Sequence, residues 1–175
     1  MKTLFLVLPV ILIIGWLLFV NFGDPLQVFV SRVEASLPAP QIGSSELTNL
    51  LEQQDGNPPL LFDVRRPDEF AVSHLEGARQ VDYGMKPLAF IEKFGQEIRG
   101  RQLIFYCSIG YRSSKFLKKV EQLCLQNDAS AVFNLRGGIF TWYNEARPVF
   151  NQDGETTQVH PYGPMWQFLI RRDPQ

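Results

Sequence analysis

Past residue 44 the chain alternates short apolar runs with amphipathic stretches. Leu47, Leu50 and Leu51 share one face of residues 46–54, a stretch that Ser44 or Ser45 can cap and that the Asp55-Gly56-Asn57-Pro58-Pro59 run breaks. Residues 60–64 then read as a buried strand. A helical turn opens at Pro67, a brief strand is expected near Val81, and residues 86–99 read as a helix that Gly100 stops. The run 102–106 (QLIFY) is a second buried strand, 113–126 a helix and 131–133 a third strand. Gly137-Gly138 turns the chain into a last helix over 140–146. Short apolar strands separated by helices indicate an α/β domain whose parallel sheet is covered on both faces.

Before this lies a different pattern. Residues 4–20 (LFLVLPVILIIGWLLFV) carry no charge. With the residues around them, they are long enough as a helix to reach roughly the 30 Å of a bilayer core. The run is longer than the roughly 7–15 apolar residues of a signal peptide, so a retained transmembrane helix over residues 1–23 is expected rather than a cleaved signal. Lys2 then places the domain on the non-cytoplasmic side. Residues 24–39, with Pro38 near their end and Pro40 just past it, read as a short stiff linker to a domain over 40–150. Residues 151–175 read as an extension docked on that domain through Met165, Trp166, Phe168, Leu169 and Ile170.

Composition narrows the partners. The 175 residues carry a net charge of -1 with both signs mixed along the chain, so no basic stripe offers itself to nucleic acid. Two cysteines, Cys107 and Cys124, without a CxxC or Cys/His cluster, disfavour a zinc site or a disulfide scaffold, and no metal or cofactor is implied.

The candidate chemistry sits in Tyr106-Cys107-Ser108-Ile109-Gly110-Tyr111-Arg112-Ser113, after a strand and before a helix. The carboxyl end of a parallel strand is where ligands bind in such sheets. Backbone N–H groups of a loop entering a helix favour an anion, so an ionised Cys107 sulfur is favoured there, with Arg112 adding positive charge. Cys124 differs. With Leu117 and Val120 it falls on one helical face and reads as core, and about 16 Å of helix rise separates it from any bridge to Cys107.

Three segments in register resemble the rhodanese (sulfurtransferase) domain family: LFDVRRPDEFAVSHLEGA at 61–78, YCSIGYRS at 106–113 and NLRGGIFTWYN at 134–144. The resemblance covers about residues 40–148. It implies a rhodanese-like five-stranded parallel sheet flanked by helices. It also implies a double displacement in which Cys107 takes sulfane sulfur from a small donor such as thiosulfate. The persulfide formed would pass its outer sulfur to cyanide, a thiol or a protein acceptor. Ser108, Ile109, Gly110, Tyr111 and Arg112 would bind the substrate. Asp63, Arg65 and Glu69 would support the loop, Asp63 or Glu69 pairing with Arg112 or Arg65. His74 reads as a structural histidine bonded to backbone, and His160 has no matched role. A phosphatase loop of related fold needs Cys-x5-Arg, whereas Cys107 to Arg112 is Cys-x4-Arg and suits a single sulfur better. The rival reading is a membrane-tethered module that binds a partner or carries sulfur with little thiosulfate activity, since Ile109 and Tyr111 narrow an uncharged loop.

Overall fold

The computed structural model describes residues 24–53 and 57–172. Residues 1–23, on which the expected membrane helix falls, lie outside them. Among the described residues no helix is long and apolar enough to cross a membrane.

Five short parallel strands form the main sheet. They are β1 (Gln41–Ile42), β2 (Leu60–Asp63), β3 (Arg79–Gln80), β4 (Gln102–Tyr106) and β5 (Ala131–Leu135), in the order β1-β5-β4-β2-β3. Alternate side chains of one strand point to opposite faces, and the core divides accordingly. Leu61, Ile104 and Tyr106 face one cluster with Leu135 and Phe140, while Phe62 and Phe105 face the other with Phe90, Phe116 and Val120. Phe62 pairs in register with Phe105 and their rings stack at 5.1 Å.

Apart from the first, the helices that cover these faces follow the sequence reading with shifts at their ends. They are α1 (Pro25–Ser36), α2 (Ser44–Glu52), α3 (Pro67–Val72), α4 (Pro87–Phe94), α5 (Tyr111–Gln126) and α6 (Gly138–Asn144). α4 closes at Phe94 with Gly95 as its cap, and residues 95–99 do not extend it. β1, only two residues long, had no sequence signal.

The stretch read as a stiff linker is largely α1. Asp24 caps it through a bond from the Leu26 amide at 3.0 Å, and Pro25 opens it. Leu26, Val30 and Val33, spaced i, i+4, i+7, are buried, Leu26 and Val30 within the first cluster, and Arg136 reaches Glu34 at 2.8 Å. Leu26→Ala is therefore expected to lower stability by about 2–4 kcal/mol, as loss of a packed leucine does. A free linker would lose nothing. Denaturant unfolding decides between them.

Residues past α6 form the antiparallel hairpin β6 (Val149–Asn151) and β7 (Gly154–Thr156), then a 3-10 turn over Pro164–Leu169. The Asn144 side chain clasps this end, donating to the Leu169 carbonyl and accepting from the Arg171 amide. Trp166 meets Phe29 of α1 edge to face at 5.3 Å.

Candidate active site

β4 delivers Cys107 to the carboxyl edge of the sheet, and four residues later α5 begins. Gly110 makes the bend in the left-handed region at φ 95°. Its amide donates to Cys107 Sγ at 3.2 Å. The amides that open α5 behind it have no intrahelical acceptor. The neighbouring α6 holds the loop from outside: Ile139 N–H donates to the Cys107 carbonyl at 2.9 Å and Phe140 N–H to that of Ser108 at 3.1 Å. With those carbonyls engaged, the loop is held where the Gly110 N–H meets the sulfur. This approach requires Gly138, where a β-carbon would collide with the Cys107 carbonyl oxygen.

Two ion pairs lie at this edge of the sheet, and one of them bonds to the loop. Asp63 and Arg65, both fully buried, meet through Arg65 Nη2 at 2.7 Å and Nε at 3.0 Å, and Asp63 also accepts from the Arg65 amide. Arg65 Nη2 donates further to the Ser73 carbonyl. Burial disfavours the Arg65 charge, but Asp63 more than compensates and holds the guanidinium protonated above its ordinary range. Glu69, buried at the first turn of α3, takes both Nη atoms of Arg112 at 2.8 and 2.7 Å. Ser108 Oγ lies between them, donating to Glu69 and accepting from Arg112 at 3.0 Å. Arg112 is thus a clasp from α5 to α3, and its positive charge beside the sulfur is shared with a carboxylate.

Burial pushes the Glu69 carboxyl up, yet the Arg112 bonds and charge outweigh this and hold it below its ordinary value. Such a depressed carboxyl contributes stability above the ordinary carboxylate range, and that contribution is lost as pH falls through the folded-state value. Glu69→Gln is expected to lower stability by about 1–3 kcal/mol at neutral pH. It should also flatten the acid limb of the stability profile, as pH-resolved denaturant titrations would show. An acid limb identical to that of the parent chain would contradict this role.

Other expected positions resolve simply. His74 stacks on Phe70 at 3.9 Å and its Nδ1 is bonded to the Phe70 carbonyl. His160 Nδ1 accepts from the Tyr162 amide. Cys124 is buried in the second cluster, and burial pushes its thiol up to about 12. Both cysteines are free.

A cleft of about 750 Å³ opens over Cys107. Sequence reasoning missed three of its walls. Phe29 comes from α1, Trp166 from the 3-10 turn, and Tyr162 lies with its ring 4.8 Å over the Arg112 guanidinium. The aromatic cluster His160-Pro161-Tyr162-Gly163-Pro164-Met165-Trp166 was the one available signal, and nothing in it tied it to a loop fifty residues earlier.

A family model described as the rhodanese-like domain matches residues 45–145, and the chain belongs to that family. A sulfurtransferase of Allochromatium vinosum is 28% identical over 114 residues, covering 65% of this chain and 97% of that protein. An uncharacterized Bacillus subtilis protein is 32% identical over 83 residues, 47% of this chain, and the match spans only 59% of that relative's length. Among solved structures, a thiosulfate sulfurtransferase from Pseudomonas aeruginosa superposes with a TM-score of 0.55 at 21% identity, covering 84% of this chain and 26% of its own. A Bacillus halodurans protein gives 0.55 at 16% identity, covering 78% and 95%. At these identities the structures speak to the fold. Family membership and the Allochromatium relative support a sulfur-transfer role at the level of the family.

Proposed function

We propose that the protein is a sulfurtransferase in which Cys107 takes sulfane sulfur as a persulfide and passes it to a thiophilic acceptor, a thiol or cyanide. The observation that carries this reading is the Gly110 amide on Cys107 Sγ at 3.2 Å, at the floor of an open cleft. The Gly110 N–H and the start of α5 are placed to stabilise negative charge on an attacking sulfur. When the terminal sulfur joins, negative charge moves outward by one atom, into the cleft. Ser108, Ile109, Gly110, Tyr111 and Arg112 surround that position, while Asp63, Arg65 and Glu69 fix the loop. Residues 4–20 would tie the domain to a membrane, on the non-cytoplasmic side.

The test is intact mass after incubation with thiosulfate or with glutathione persulfide. A gain of one sulfur atom, located at Cys107 by peptide mapping and removed by cyanide, is the expected result. No gain from either donor would refute the proposal.

A further inference from the structure

The cleft over Cys107 is built from more of the chain than the family match covers. Phe29 and Val33 of α1 and Trp166 of the 3-10 turn lie outside residues 45–145, yet they form its outer wall. Ile109 and Phe140 carry the apolar surface down to the loop. The charges around this surface are matched. Arg65 is paired with Asp63, Arg112 with Glu69 and Arg66 with Asp68. Exposed Arg32 and Asp82, also on the walls, are opposite in sign. Three of the four lining arginines are therefore neutralised by carboxylates that lie behind the wall, and Asp82, the carboxylate among the lining residues, offsets the charge of Arg32.

A small inorganic dianion gives up strong hydration on entering and meets no net positive charge in return. An apolar body gains by leaving water for such a wall. A volume of about 750 Å³ is also that of a site for a sizeable organic molecule.

We propose that the sulfur donor is organic, with an aryl or alkyl body lying against Phe29, Val33 and Trp166 and its outer sulfur directed at Cys107. This rests on the sulfur-transfer reading and narrows its substrate class. In the step, the Cys107 thiolate bonds to the donor's outer sulfur. The donor's S–S bond breaks, and its electron pair leaves with the organic thiolate or sulfinate. Cys107 is left as the persulfide anion, the total charge is unchanged and no external oxidant enters. The placement of α1 agrees. Asp24 caps it four residues after Val20, and Phe29 lies about 8 Å along the helix, so a tethered domain would hold this wall close to the membrane where apolar donors partition.

Benzenethiosulfonate and thiosulfate test this directly, since both hand over an outer sulfur but only the first carries an aromatic body. Loading rates of the 175-residue chain in lipid nanodiscs, read by intact mass, would each be divided by the rate of the same donor with free cysteine. The corrected ratio is expected to favour the aromatic donor by roughly tenfold or more. Phe29→Ala should lower that ratio by about fivefold. Ser36→Arg, at an exposed position on the cleft wall, should lower it too by raising the thiosulfate rate. A corrected ratio at or below one, or a ratio that neither substitution moves, overturns the selectivity and leaves sulfur transfer standing. Loading by neither donor overturns both.

Discussion

Cys107→Ser is expected to abolish sulfur loading, by at least about 10⁴-fold, while leaving the fold in place. The hydroxyl is nearly the size of the thiol and keeps the Gly110 amide as a partner, so the buried site stays satisfied. It does not ionise at neutral pH and cannot form the sulfur–sulfur bond. The expected cost in stability is therefore under about 1 kcal/mol. Intact mass and a denaturant melt on the same preparation separate the two effects. Cys124 provides an internal control: burial pushes its thiol up to about 12, so at neutral pH it stays protonated in the core. Loading that persists in Cys107→Ser and maps to Cys124 would remove Cys107 from the chemistry.

Asp63→Ala should be the most destabilising single change among the loop supports, at about 3–5 kcal/mol. It leaves the Arg65 guanidinium buried, with the Ser73 carbonyl as its remaining hydrogen-bonded partner. It also strips the Arg65 amide of its acceptor. The penalty belongs to the abandoned charge more than to the lost attraction. Asp63→Leu combined with Arg65→Met should accordingly cost less than Asp63→Ala alone, because no ion is then stranded. A double variant no more stable than the single one would show that the bonds to the loop backbone matter more than the charge.

Much of this framework was legible in the residues. The apolar run of β4 fills its strand from Gln102 to Tyr106 as read, because a central parallel strand buried on both faces needs apolar side chains at nearly every position. The loop was legible through Gly110, whose left-handed bend only glycine adopts freely. Glu69 and Arg112, 43 residues apart, meet because α3 and α5 both start at the carboxyl edge of the sheet. Sequence order alone did not say whether Glu69 or Asp63 would take Arg112. The misreadings have local causes. Leu26, Val30 and Val33 have helical spacing, but they stand between a long apolar run and two prolines, which drew residues 24–39 toward a linker. β1 is held by two residue pairs with β5, too few for any periodicity to show. The cleft walls stayed hidden because they come from opposite ends of the chain and meet through one aromatic contact.

The α6 amides on the Cys107 and Ser108 carbonyls connect the two halves of the site in an order set by synthesis. Cys107 leaves the ribosome about thirty residues before the helix start that clamps its carbonyl. Until Ile139 and Phe140 arrive, Glu69 holds the loop through Ser108 and Arg112, but the Cys107 and Ser108 carbonyls have no clamp and the strand-helix unit of β4 and α5 can form without a finished sulfur site. Reactivity at this cysteine is thus a late property of the folding chain, acquired when the last helix docks rather than when its own strand pairs.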